Sequence, residues 1–166
     1  MNRDKDSFLK IIESHKLIIF KVCNSYCKDS EDQKDLFQEV ILQLWNAFPS
    51  YDETYKFSTW VYRISLNVAI SSYRKLKTKN KYFSRLEEEM VSIQADDDQG
   101  KNEELQLLQA FISQLEELNK ALIILYLDGY SHQEIAEMLG ISKSNVGSKI
   151  NRIKNKLKTQ FKNLEA

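Results

Sequence analysis

Between Met1 and Ala166 the chain holds one proline, Pro49, and four glycines. Almost nothing in it interrupts a helix, so long stretches are free to be helical. The apolar share of 42% is that of a globular protein rather than a disordered one. No stretch approaches the roughly 18 consecutive apolar residues of a membrane span. The N-terminus, Met1-Asn2-Arg3-Asp4-Lys5-Asp6, carries both signs of charge and no long apolar run follows it, which is not a secretion signal. The expected compartment is therefore the cytoplasm.

Apolar residues recur at three-to-four spacing in three early segments. Phe8, Ile11, Ile12, His15, Ile18, Ile19 and Val22 predict a helix from about Asp6 to Tyr26. Ser30 with Gln33 reads as a capping box opening a second helix, which carries Leu36, Phe37, Val40, Ile41, Leu44 and Trp45 and ends at Phe48-Pro49. Ser58 or Thr59 is expected to cap a third, with Trp60, Ile64 and Val68, running into Arg74-Lys75-Leu76-Lys77. From Thr78 periodicity weakens. Gln94 to Gly100 is acidic and nearly free of apolar residues, which predicts a flexible linker. A second module starts near Leu105. The expected fold is all-α: two small helical modules, 1–77 and 105–166, joined by a linker at 78–104.

The net charge is zero, but the charges are segregated. Residues 57–85 hold seven basic and no acidic side chains, and residues 141–166 hold seven basic and one acidic. Residues 86–140 hold two basic and thirteen acidic. Two basic blocks, each closing a helical module, point to a polyanion. Cys23 and Cys27 lie four apart on one helix face without enough neighbours for zinc, and are expected to be small core residues. The two histidines, His15 and His132, are far apart, and no glycine-rich phosphate loop occurs. No nucleophile–base pair, cofactor site, metal site or small-molecule substrate site is expected.

The segment Ser131 to Val146 fits a helix-turn-helix. Ser131 and Glu134 form a capping box. Ala136 is small where two helices meet, and Gly140 supplies the left-handed residue that stops the first helix. Ile141 plugs the corner and Ser142 caps the second helix. Val146, Ile150, Ile153 and Leu157 form the buried stripe. At about 100° per residue the opposite face presents Ser144, Asn145, Ser148, Asn151 and Arg152. Such groups suit base edges and phosphates in a major groove. Lys143, Lys149, Lys154, Lys156 and Lys158 flank it as phosphate contacts. Upstream, Tyr51, Tyr55, Phe57, Trp60 and Tyr62 crowd the entry to the acid-free region. Aromatics beside a cationic track can stack on unpaired bases; Phe57, Trp60 and Tyr62 can equally be core.

At these residues the chain resembles the small alternative sigma factors of bacterial RNA polymerase, the extracytoplasmic-function group. Asp32 to Trp45 is similar to the family's "DAEDLVQEVFLRLW" signature, and Phe57 to Ile70 to its "FRAWLYRIARNLA" segment. The resemblance implies that the modules are sigma regions 2 and 4, and that the protein directs transcription initiation without catalysing it. It implies that Asp35, Leu36, Gln38, Glu39 and Leu42 dock on core polymerase. Tyr55, Phe57, Ser58, Trp60, Arg63, Asn67 and Arg74 would hold the melted minus-10 strand. Ser142, Lys143, Ser144, Asn145, Ser148, Lys149 and Arg152 would read minus-35 duplex. The partners implied are core polymerase, promoter DNA and, as in relatives, an anti-sigma factor. Gly147 and Lys149 depart from the arginines of many relatives. A plain regulator using only the helix-turn-helix, or a sigma mimic that titrates an anti-sigma factor, are the rival readings. The first leaves the Asp35–Trp45 signature unexplained, and the second the basic blocks.

Overall fold

The computed structural model describes residues 3–80 and 103–165, and all regular structure among them is helical. The helices are α1 (Lys5–Tyr26), α2 (Ser30–Ala47), α3 (Phe57–Asn80), α4 (Glu103–Ser113), α5 (Glu117–Leu127), α6 (His132–Leu139) and α7 (Lys143–Glu165), with a 3-10 turn at Phe48–Ser50. The acidic stretch 94–100 lies outside the described residues. No helix among the described residues is long and apolar enough to cross a membrane.

The first three helices share one core. Ile19, Val22, Val40, Leu44, Val61 and Leu66 are wholly buried in it, as the helical spacing requires. Phe48 and Tyr62 are the largest side chains sealed inside. Cys23 is buried and Cys27 half-buried, both as free thiols. Burial pushes the Cys23 thiol up to about 12, with the Cys27 sulfur a smaller contribution, so it behaves as a small apolar residue. Among the described residues no group of His, Cys, Asp or Glu is arranged to hold a metal.

Helix ends differ from the sequence expectation at three places in α2 and α3. α2 begins at Ser30, so Asp29 is its N-cap and Ser30 is its first residue; no side chain closes a capping box there. Gln33 turns away and donates to the Cys27 carbonyl at 2.9 Å. α3 begins at Phe57, with the Trp60 amide bonded to the Lys56 carbonyl at 3.1 Å. Ser58 and Thr59 thus lie inside its first turn rather than at its cap. α3 also continues to Asn80, past the point where apolar periodicity fades. Its last turns are cationic, with Lys77 and Lys79, and cations suit the negative end of the helix dipole.

α5, α6 and α7 form the second core around Leu122, Leu125, Ile135, Val146 and Ile150. α4 closes it with Phe111, and Leu115 follows in the turn. The second unit also packs on the first, with α5 and α6 against α3 and α4 against α1.

Candidate nucleic-acid and polymerase interfaces

The helix-turn-helix is built as its sequence dictates. The Glu134 amide donates to the Ser131 hydroxyl, and the Ser131 amide donates to the Glu134 carboxylate. Gly140 sits at φ +69°, ψ +34°, a left-handed conformation that costs an ordinary residue about 1–2 kcal/mol. Its amide and that of Ile141 both return to the Ala136 carbonyl, at 2.9 and 3.2 Å. Ser142 caps α7 by accepting from the Asn145 amide at 3.1 Å. Val146, Ile150 and Ile153 are buried and Leu157 half-buried, so Ser144, Asn145, Ser148, Asn151 and Arg152 stand outward. Ser142 and Lys143 are exposed with them, and Lys149 is half-buried on the flank. Gly147 lies at the other edge of this face. A Cβ there would meet the His132 ring, 3.5 Å from its Nδ1, so the imidazole occupies the space beside the glycine.

In the first unit the loop before α3 is closely tied down. Arg3 donates to the Pro49 carbonyl and, at 2.7 Å, to the Tyr51 carbonyl, and pairs with Glu53 at 3.8 Å. Tyr51 donates its hydroxyl to the Tyr55 carbonyl. Its ring stacks on Phe57 at 4.5 Å and meets the edge of Trp60 at 5.1 Å. Asp52 accepts from the Thr54 amide and hydroxyl, which holds its carboxyl below the usual range. The result leaves Tyr55 outward, 44% exposed. Trp60, Arg63, Asn67, Ser71, Arg74 and Thr78 follow at three-to-four spacing along α3, a stripe about 27 Å long at 1.5 Å per residue. Tyr55, Trp60 and Arg63 line one cleft, while Asn67 and Arg74 line another groove. Ser58 and Phe57 are half-buried, and Phe57 is committed to the Tyr51 stack. Tyr62 is sealed at 2% exposure and is core, not a base-stacking platform.

A third surface runs along α1 and α2. Phe20 and Phe37 stack at 4.8 Å with Phe20 44% exposed. Leu42 is 50% and Trp45 41% exposed, and both line a groove with Leu9 and Ile41. Asp35, Gln38 and Glu39 are exposed along the same helix. Leu36 differs from them in burial: it is only 4% exposed, packed into the core while bordering a groove with Asp35 and Glu39. The family resemblance groups it with Asp35 and Glu39 as a docking residue, whereas its burial follows from its place in the Leu36–Val40–Leu44 buried stripe.

Comparison with known proteins fits both units. The profile of Sigma-70 region 2 matches residues 11–79, and that of Sigma-70, region 4 matches residues 105–157. The ECF RNA polymerase sigma factor SigW of Bacillus subtilis (strain 168) is 30% identical over 176 residues, spanning 97% of this chain and 92% of SigW. The chain belongs to the sigma-70 family, in its extracytoplasmic-function group. The RNA polymerase sigma factor NccH of Alcaligenes xylosoxydans xylosoxydans is also similar, 25% identical over 93% of this chain and 86% of its own length. The fold matches the sigma factor RpoE of Bartonella quintana, solved with the anti-sigma factor NepR, at TM-score 0.70 and 18% identity over 95% of this chain and 96% of that one. It also matches CnrH, solved with the cytosolic domain of CnrY, at TM-score 0.65 and 20% identity over 96% and 90%.

As an alternative sigma factor the protein binds core RNA polymerase, recognises minus-10 and minus-35 promoter elements and directs transcription initiation. It is not an enzyme. The match to Sigma-70 region 2 falls on the α1–α3 unit and the match to Sigma-70, region 4 on the α4–α7 unit. Two residues that sequence reasoning passed over shape these surfaces. Arg3 anchors the Tyr51–Lys56 loop through contacts 46 and 48 residues away, which no local pattern signals. Phe20 was legible only as an apolar residue off the core stripe of α1.

Proposed function

We propose that this sigma factor divides its work among the three surfaces as follows. Core polymerase docks on the α1–α2 face through Asp35, Gln38, Glu39 and Leu42, extended by Trp45 and Phe20. The melted minus-10 strand lies along the α3 stripe, with Tyr55 and Trp60 offering rings to unpaired bases and Arg63 and Arg74 holding phosphates. Asn67, placed midway on the stripe, contributes an amide able to donate and accept at a base edge. Phe57 and Ser58 shape the entry to the stripe. The exposed α7 face reads minus-35 duplex through Ser142, Ser144, Asn145, Ser148 and Arg152, with Lys143 and Lys149 on phosphates.

The observation that carries this reading is the α3 stripe: a tied-down aromatic loop feeding a continuous polar and cationic face in a block of 29 residues without one carboxylate. Module limits of 1–77 and 105–166, with 78–104 as linker, suit this division. The protein works in the cytoplasm, where polymerase and promoter are. An anti-sigma factor is a further partner, by analogy with the two structural relatives solved with one. Run-off transcription with purified core polymerase on genomic promoter fragments tests the assignment. Discrete new transcripts that disappear with Arg63→Ala and shift promoter preference with Arg152→Ala support it. Transcripts indifferent to both changes overturn the residue assignment.

A further inference from the structure

One flank of α7 has a gap in it, and a side chain from another helix fills that gap. Lys143, Gly147, Asn151 and Lys154 follow one another at about one turn and form a single ridge along the helix. Lys143, Asn151 and Lys154 are exposed, and Gly147 contributes no side chain between them. The His132 imidazole lies there instead. Its Nδ1 is 3.5 Å and its Cε1 3.8 Å from where a Cβ of Gly147 would stand.

Three neighbours fix the ring in that place. His132 is the first residue of α6, directly after the Ser131 cap. Its ring also meets Tyr126 of α5, with centroids 6.4 Å apart. The Lys154 ammonium lies 4.4 Å from the Tyr126 centroid, so the ridge lysine and the imidazole share one aromatic support. Packing explains where the ring sits, but an apolar ring would pack there as well. His132 is only half-buried, and among the described residues neither ring nitrogen has a hydrogen-bond partner. Glu134, the acid nearest along α6, is already taken by the Ser131 amide. An imidazole carries at least one N–H whether neutral or charged. A free donor thus stands in line with two lysines on the helix that faces DNA.

We propose that His132 donates to one backbone phosphate of the minus-35 duplex, taking the place in the α7 ridge that Gly147 leaves empty. That role depends on the α7 face being the minus-35 reader. Gly147 lies at the edge of the outward face, and the edge of a helix seated in a major groove meets the sugar–phosphate wall rather than the bases. The contact therefore positions α7 on the duplex and carries no base preference of its own. It also makes Gly147 and His132 one unit. A methyl group at position 147 makes ordinary contact and leaves the imidazole in place. A long side chain there competes with the imidazole for the same space.

His132→Phe keeps a ring against Gly147 and Tyr126 but removes the donor. The measurement is the affinity of holoenzyme, formed from the full chain and core polymerase, for a promoter fragment mapped by run-off transcription. The fragment is scanned with single methylphosphonates through its minus-35 region, each removing one phosphate charge. The expected result is that His132→Phe weakens binding to the unmodified fragment about tenfold and abolishes the penalty of one methylphosphonate while leaving the others. If His132→Phe fails to fold, His132→Ala takes its place in the scan. Gly147→Arg joined to His132→Ala should recover most of what His132→Ala loses, whereas Gly147→Arg beside an intact His132 should gain little. Undiminished binding by His132→Phe overturns the contact. So does weaker binding with every methylphosphonate penalty retained, since the ring then acts through packing alone. A double variant no better than His132→Ala overturns the coupling to Gly147. Arg152→Ala on the same fragments tests the α7 face by itself. Unchanged affinity there removes the minus-35 assignment, while a loss with Arg152→Ala and none with His132→Phe removes only His132.

Discussion

Ser131 and Glu134 cap α6 reciprocally, the Ser131 amide donating to the Glu134 carboxylate at 2.7 Å and the Glu134 amide to the Ser131 hydroxyl at 3.2 Å. The first turn of the helix-turn-helix therefore depends on one hydroxyl and one carboxylate. Ser131→Ala should cost about 1 kcal/mol of stability, read by denaturant unfolding. The Ser131 amide, and next its hydroxyl, hold the Glu134 carboxyl below its ordinary value. A lowered folded pKa means stabilisation that is full at neutral pH and is lost as pH falls through and below the ordinary carboxylate range. Melting curves of the native chain and of Glu134→Gln should therefore differ at neutral pH and converge in acid.

The apolar strip on α1 and α2 gives a prediction with a built-in control. Leu42 is 50% exposed, so Leu42→Asp should leave the melting temperature nearly unchanged, whereas Trp45→Ala also gives up the edge contact of its ring with Phe8 at 5.0 Å and should lower it modestly. Each should nonetheless weaken co-elution with core polymerase at least about tenfold, since buried aromatic and aliphatic anchors dominate interfaces. Leu36→Ala should do the reverse, costing about 2–5 kcal/mol of stability because it is core.

On α7, position and chemistry separate two kinds of loss. Arg152 stands on the outward face, and Arg152→Ala should cost about 1–3 kcal/mol on the preferred minus-35 duplex and less on others. Lys158, also exposed, lies off that face. Lys158→Ala should weaken all duplexes alike and reduce the slope of affinity against salt by about one. Equal effects of the two on matched and mismatched duplexes would remove Arg152 from the base-reading set.

Gly147 offers a stabilising change. It lies inside α7 with ordinary helical φ, and a Cβ would make normal contact with His132 at 3.5 Å. Gly147→Ala should raise stability by up to about 1 kcal/mol. Thermal melting checks this. A fall in stability would mean that the imidazole cannot give way.

What could be read from the chain was what repeats or what is local. Helical spacing placed the cores of both units, and the turn chemistry of Ser131, Glu134, Gly140 and Ser142 placed the helix-turn-helix. Helix starts were harder. Ser30 and Ser58 look like caps, but Asp29 and Lys56 precede helices that begin without a closed side-chain box. Leu36 sits beside exposed acids in sequence, yet it is packed into the core. Most opaque were the contacts across the fold. Lys120 reads as a surface cation within an apolar helix, and only the approach of Ser25, Tyr26 and Tyr73 explains its burial. Arg3 reads as part of a charged end, while its partners lie in the loop after α2.

That last contact has a practical side. The side chain of Arg3 is a staple between the start of α1 and the Pro49–Tyr51 backbone. Anything joined just ahead of it, such as an affinity handle or a fluorescent reporter, is delivered to the doorstep of the loop proposed to meet the minus-10 strand. Fusions at that end should be expected to blunt promoter opening while sparing duplex recognition. Reporters for this protein belong at the far end of α7.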